Sequence, residues 1–167
     1  MDTYGQHPDQ RVGIFVDVQN MYYSAKNLYD KKVNYATILK NGVSKRKLIR
    51  AFAYVIRADV GSEQDFFEAL TKQGYEVREK ELQVFYGGAK KGDWDVGLCM
   101  DVIRLLPKID VLVLVSGDGD YVDMLEYAKS QGVRVELISF GKTTSNKLTD
   151  KADNFIDLDK NKNNFLI

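Results

Sequence analysis

Four aspartates stand where this sequence turns from apolar to polar, and they are the residues best suited to chemistry. Asp17 ends the run Arg11–Asp17, and Asp118 and Asp120, one glycine apart, follow Val111–Val115 and Ser116-Gly117. Asp95 comes shortly after the basic loop at 89–92. Carboxylates that converge without matching His, Cys or Arg partners suit a hard divalent cation with oxygen ligands. Two of them ~4 Å apart repel by roughly 4 kcal/mol at an effective dielectric near ~20, and a cation reverses that sign. The competing reading is local, because Asp and Asn after strands also cap helices and form turns. Convergence of all four on one rim favours the metal. Supporting positions are Ser116 in the turn and Asn20, which either caps the first helix or orients Asp17. Asp123 is either a helix-dipole partner or a ligand. Asp101 lies six residues past Asp95, about 9 Å along an ideal helix and about 120° around it, so the two do not reach one ion.

The elements that must deliver these acids are strands and helices in alternation. Val111–Val115 is apolar throughout, as in a strand covered on both faces. Further strands are expected at 11–17, 49–56, 133–139 and 155–158, and the stretch 75–86 reads as two short strands of which 82–86 is the better. Helices are expected at 21–30, 34–40, 63–73, about 93–106, 121–131 and 145–151. Tyr22, Tyr23 and Leu28 are candidate buried positions of the first, and Asn41-Gly42 should stop the second. Ser62 should cap the third, Asp93 the fourth, and Pro107 should end the fourth. The alternation specifies a three-layer, Rossmann-like α/β fold with a mainly parallel sheet and helices on both faces. In such a sheet, residues that end strands and begin helices share one rim, where ligands bind. Residues 1–10 are expected to be a loose leader, 11–158 one domain, and 159–167 a loose tail.

Composition narrows the chemistry. Lys plus Arg (24) balances Asp plus Glu (24), so no global field holds nucleic acid and any such contact is local and salt-sensitive. One Cys and one His exclude a His/Cys zinc site, and because the only histidine is His7, in the polar N-terminal segment, no Ser/His/Asp or Cys/His catalytic set is available. Cys99 can form no internal disulfide, and no apolar run is long enough to span a bilayer, so a cytoplasmic protein is expected. Asp118-Gly119-Asp120 begins like a calcium loop, but Lys129 stands where that loop needs a bidentate Glu. A haloacid-dehalogenase-type phosphatase needs Asp-x-Asp after the first strand, and here the residues are Asp17-Val18-Gln19. Gly119 would leave room for its flanking acids to turn to one site, or for a phosphate to come close.

Three motifs in order carry a resemblance: Phe15-Val16-Asp17-Val18-Gln19-Asn20, then Lys91-Gly92-Asp93-Trp94-Asp95 through Asp101, then Val115-Ser116-Gly117-Asp118-Gly119-Asp120-Tyr121. Together with the closing segment from Ser145 to Leu158, they resemble the NYN domain, LabA-like subgroup, a branch of the PIN-like nuclease fold. The resemblance implies a PIN-like fold, a Mg²⁺ or Mn²⁺ site and endoribonuclease activity. It puts Asp17, Asp95, Asp118 and Asp120 at the metal and catalytic positions, with Asn20 beside them and Asp101 at a further matching position. The expected reaction is metal-dependent hydrolysis of RNA phosphodiesters; the alternative is a non-catalytic module that binds RNA or a protein partner. RNA is the expected partner, and a protein partner or a homodimer is a further candidate. Lys90, Lys91, Lys142, Thr144 and Ser145 are candidate RNA-backbone contacts, although each taken singly reads first as solvated surface. Trp94 either stacks on a base or packs at a helix start.

Overall fold

Strands and helices alternate along most of the chain, and the crossovers leave the main-sheet strands parallel. The computed structural model describes residues 4–58, 63–88 and 90–167, with only the backbone described at Lys90 and Lys91. The elements run β1 (Arg11–Asp17), α1 (Val18–Tyr29), α2 (Tyr35–Val43), β2 (Lys47–Arg57), α3 (Glu63–Gln73), β3 (Glu76–Glu81), β4 (Gln83–Val84), β5 (Lys90–Lys91), α4 (Asp95–Leu105), β6 (Val111–Val115), α5 (Val122–Ser130), β7 (Arg134–Ser139), α6 (Asn146–Lys151), β8 (Asn154–Asp157) and α7 (Lys162–Phe165). Six strands form one sheet in the order β3-β2-β1-β6-β7-β8, and every neighbouring pair is parallel. The strand order reverses between β1 and β6, which places a topological switch point beside the ends of the two most apolar strands.

Alternation along the strands builds the three layers. Val12, Ile14 and Val16 pack with Val113 and Val115 under Met21, Ala25, Ile38, Phe67 and Leu70 of α1, α2 and α3. Phe15, Leu112 and Leu114 face the other way, against Leu98, Val102, Leu125 and Leu148 of α4, α5 and α6. The expected three-layer PIN-like architecture is therefore present.

Several local expectations fail for identifiable reasons. The expected better strand, 82–86, is no part of the main sheet. The charged run before it is: Glu76–Glu81 forms edge strand β3, while Gln83–Val84 pairs only with Lys90–Lys91 in a small antiparallel hairpin. An edge strand tolerates charge on its solvated sides, and β2 supplies counter-charges through Arg50–Glu76 (2.8 Å) and Arg57–Glu79 (2.9 Å). Helix α2 passes through Gly42 to Val43, and Ser44 takes the left-handed turn (φ 50°). Gly42 is needed inside the helix because a Cβ there would stand 2.9 Å from the Ile14 side chain. Tyr22 and Tyr23 are 45% and 53% exposed, because α1 begins directly at Val18 and its phase turns Val18, Met21 and Ala25 inward instead. The expected cap Ser62 lies outside the described residues.

Both termini also differ from the loose segments expected. Val33 and Leu166 form an antiparallel bridge, Lys32 and Ile167 exchange backbone hydrogen bonds, and Phe165 is buried in the core. Three apolar residues closing a polar Lys/Asn run are enough to anchor it. At the other end, Gln6 donates to Glu136 and accepts from Ser44, and the Tyr4 carbonyl accepts from Arg134.

Candidate metal centre

Asp17 ends β1 and is at once the N-cap of α1. Its Oδ1 accepts the Asn20 backbone N–H (3.2 Å), which leaves Oδ2 to accept from the Tyr121 hydroxyl (3.1 Å) and the Ser116 hydroxyl (3.4 Å). Asp118 follows β6, and its Oδ1 likewise accepts a backbone N–H, from Asp120 (2.9 Å). Cap and ligand are thus compatible roles, because a carboxylate has two oxygens and the cap occupies one. Ser116 is fully buried and links the two strands, donating to Asp17 while accepting from the Asp118 N–H (3.2 Å). Asn20 is not the cap of α1, and among the described residues its side chain makes no hydrogen bond to Asp17: its Oδ1 accepts the Gly117 N–H (2.9 Å), tying the start of α1 to the turn after β6.

Asp95 arrives by a different route from the one expected, since the strands directly before α4, β4 and β5, lie outside the main sheet. Trp94 anchors that helix start. Its indole N–H donates to the Val55 carbonyl (2.9 Å), and its ring packs on Tyr54 (5.2 Å between centroids) under the Lys80 ammonium (4.4 Å). Gly97 closes the contact from within the helix, where a Cβ would stand 2.6 Å from the indole. Asp93 accepts the Asp95 N–H (3.2 Å) but is not the helix N-cap, which is Trp94. Asp95 Oδ1 then lies 3.2 Å from the hydroxyl of Tyr121.

Asp17, Asp95 and Asp118 each offer an oxygen within 4.8 Å of the others, a spacing one cation can bridge. Tyr121, fully buried, sits between two of them, and its single hydroxyl hydrogen can serve only one carboxylate at a time. Burial is the main cause that raises Asp17 to about 6, with the charges of Asp95 and Asp118 adding to it against the hydrogen bonds from Asn20 and Tyr121. Burial also raises Asp95, followed by the charge of Asp118. Among the described residues, none of the three acids has a Lys or Arg partner within salt-bridge distance. Crowded, uncompensated carboxylates of this kind fit a divalent cation by charge, by donor type and by spacing.

The remaining expected site residues lie around this triad. Asp120 is exposed at the rim and adds its charge to Asp95, but it is not among the acids that reach a common point. Asp123 is exposed in the first turn of α5. Asp101 is buried away from any shared ion, accepting from the Tyr54 hydroxyl (2.9 Å) and pairing with Arg104 (3.2 Å) and Arg78 (3.6 Å). In the loop after β7, Thr144 donates to the Phe140 carbonyl (2.6 Å), Ser145 caps α6, and Lys142 stands over the Tyr29 ring (5.4 Å). Gly117 and Gly119 make room for that loop: a Cβ on Gly119 would stand 2.8 Å from Ser145 Oγ, and one on Gly117 would stand 3.1 Å from the Thr143 carbonyl. Burial, then the charge of Asp95, pushes the Cys99 thiol up to about 11, which favours the neutral thiol over the thiolate.

Beside the acids opens a crevice of about 300 Å³. One wall carries Asp17, Asp95 and Asp118 with Asp93 and Trp94, and the other carries Gln19, Asn20, Tyr23, Ser24 and Asn27 of α1 with Thr143. Most of this second wall escapes a sequence reading because nothing local distinguishes an outward tyrosine from a core one. Tyr121 was legible only as part of a motif; its adjacency to Asp120 gave no sign that it reaches Asp17.

The parallel three-layer sheet with a carboxylate triad at its switch point is consistent with the PIN-like fold that the resemblance implies. Comparison with known proteins gives the family: the NYN domain profile matches residues 11–159, and the chain belongs to that family. It is 26% identical over 159 residues to the low amplitude and bright protein LabA of Synechococcus elongatus, covering 89% of this chain and 83% of that protein. It also superposes on the crystal structure of a Vibrio parahaemolyticus protein of unknown function with a TM-score of 0.88 and 32% identity, covering 97% of this chain and 99% of that one. Membership in a family of PIN-like, RNA-acting domains sets aside the phosphatase reading.

Proposed function

We propose that this protein is a Mg²⁺- or Mn²⁺-dependent endoribonuclease in which Asp17, Asp95 and Asp118 hold the metal and Asp120 assists from the rim. The observation that carries the reading is the triad itself: three carboxylates within 4.8 Å at the switch point, without a neutralising cationic side chain among the described residues. A divalent ion held there would supply a water of lowered pKa and a counter-charge for a phosphodiester. The chain's own part is positional. Ser116 and Tyr121 fix Asp17 from two sides, Tyr121 spans to Asp95, and Asn20 holds the turn that carries Asp118. No side-chain nucleophile is required, consistent with the neutral Cys99 thiol and with His7 lying in the N-terminal segment beside Gln10.

Cleavage of a short single-stranded RNA with Mn²⁺ or Mg²⁺ tests this reading. Asp118→Asn should lower the single-turnover rate by at least about 10²-fold, on the scale of removing one charged group from a catalytic electrostatic site. RNA left intact by the wild type with either metal, with Asp118→Asn behaving like the wild type, would overturn this reading in favour of the alternative, a non-catalytic module in which Asp17 and Asp118 serve as caps.

A further inference from the structure

The crevice has two unlike walls, and only one is accounted for by the acids. Along α1, Gln19, Tyr23 and Asn27 recur every four residues and so form one stripe that faces the crevice. Tyr23 is 53% exposed, although a phenol ring of its size is ordinarily covered. Tyr22 meets it edge-to-face (5.3 Å, 80°), and Lys26 in turn stands over Tyr22 (5.8 Å), so the Tyr23 ring is braced from one side and open on the other. Among the described residues, the side chains of Gln19 and Asn27 have no hydrogen-bond partner, whereas Asn20 is committed to Gly117 and Ser24 to Thr143. The opposite aromatic, Trp94, has its ring covered by Tyr54, Lys80 and the Gly97 backbone. The wall therefore offers one free aromatic face and two free amides, with no ionic group directed at phosphate.

We propose that the α1 wall is a nucleobase subsite: an unpaired base of single-stranded RNA stacks on Tyr23 with its polar edge toward Asn27 and Gln19, while the backbone passes the acid triad. The assignment rests on the ribonuclease reading for the identity of the ligand. In a duplex the bases are stacked inside and cannot reach such a wall, whereas a single strand can splay one out. A chain with no net charge offers no global field for phosphate, so stacking on Tyr23 adds affinity that does not depend on such a field.

The test is binding, measured apart from cleavage. A 5′-labelled single-stranded oligoribonucleotide is titrated by fluorescence anisotropy with Ca²⁺ in place of Mg²⁺, using wild type, Tyr23→Ala and Tyr23→Phe. A second oligonucleotide carries 2-aminopurine at successive positions to report stacking. Tyr23→Ala should weaken binding about tenfold or more and abolish 2-aminopurine quenching at one position, on the scale of one lost base stack. Tyr23→Phe, which keeps the ring, should bind within about twofold of wild type. A perfectly paired RNA duplex should bind more weakly than the single strand, and single-stranded DNA of the same sequence should compete. Equal binding by Tyr23→Ala, a duplex bound as tightly as the single strand, or no binding by wild type would overturn the subsite. Stacking at Tyr23 without cleavage in Mn²⁺ would remove the nuclease reading and leave the subsite standing. Cleavage with unaltered KM in Tyr23→Ala would do the reverse.

Discussion

Asp17 is the residue on which capping, burial and the proposed metal site meet. Its carboxyl is raised to about 6, first by burial and then by its acidic neighbours. For an acid raised above its unfolded value of about 3.8, the folded state binds more protons between those two pH values. Its contribution to stability is therefore favourable or neutral at low pH and becomes a penalty as pH rises through about 6. The full penalty above that window is about 3 kcal/mol. In metal-free protein at pH 7.5, Asp17→Asn should raise Tm by several degrees, and the gain should shrink toward zero below pH 4. Added Mn²⁺ should stabilise wild type more than the variant, because the ion needs the charge that asparagine lacks. Differential scanning fluorimetry across pH, with and without Mn²⁺, reads all three outcomes. A capping role alone predicts an Asp17→Asn effect that does not depend on metal.

At the scale of elements, the site is held by turns that lean on one another. The turn after β6 carries Asp118, and it is fixed from the α1 side by Asn20 and from the β7 side by the loop 140–145. Gly117 is the point of closest approach: Ser139 Oγ, Thr144 Oγ1 and the Thr143 carbonyl all lie within 3.1 Å of where a Cβ would be. Two of these are side-chain atoms, but the third is backbone and cannot rotate aside. Gly117→Ala should therefore push the two loops apart, destabilising the protein by about 1–3 kcal/mol by overpacking. It should also weaken Mn²⁺ binding by shifting Asp118. Thermal unfolding and Mn²⁺ titration on the same variant measure both, and an alanine tolerated in each would show that the loop 140–145 moves freely.

Across the whole molecule, a buried ion pair far from the acids joins the remote parts of the chain. Arg46, from the turn after α2, pairs with Glu136 of β7 at 2.7 Å, both nearly inaccessible, and Arg134 completes the group at 2.8 Å. Burial alone would raise Glu136, but the two guanidinium groups outweigh it and hold the carboxyl below its usual range. Gln6 donates to the same carboxylate, which fastens the N-terminal segment to this end of the sheet. Removing one partner leaves a buried charge, so Arg46→Leu should cost about 3–5 kcal/mol. Chemical denaturation should show the loss, and Arg46→Leu combined with Glu136→Leu should recover most of it.

The sequence by itself determined what depends on near neighbours. Five consecutive apolar residues at Val111–Val115 read as a central strand, and the strand-then-acid junctions at Asp17 and Asp118 read as one rim, because local pattern and parallel topology leave little choice. The helix geometry that separated Asp101 from Asp95 was equally local, and Asp101 does pair elsewhere. Features that depend on pairing and phase emerged from the fold alone. It showed that charged Glu76–Glu81 is a sheet edge, that Tyr22 and Tyr23 face out, and that the last residues fold back on Val33. It also decided which three acids meet and that Tyr121 joins two of them, since contacts across about a hundred residues follow from strand register, which no local window contains.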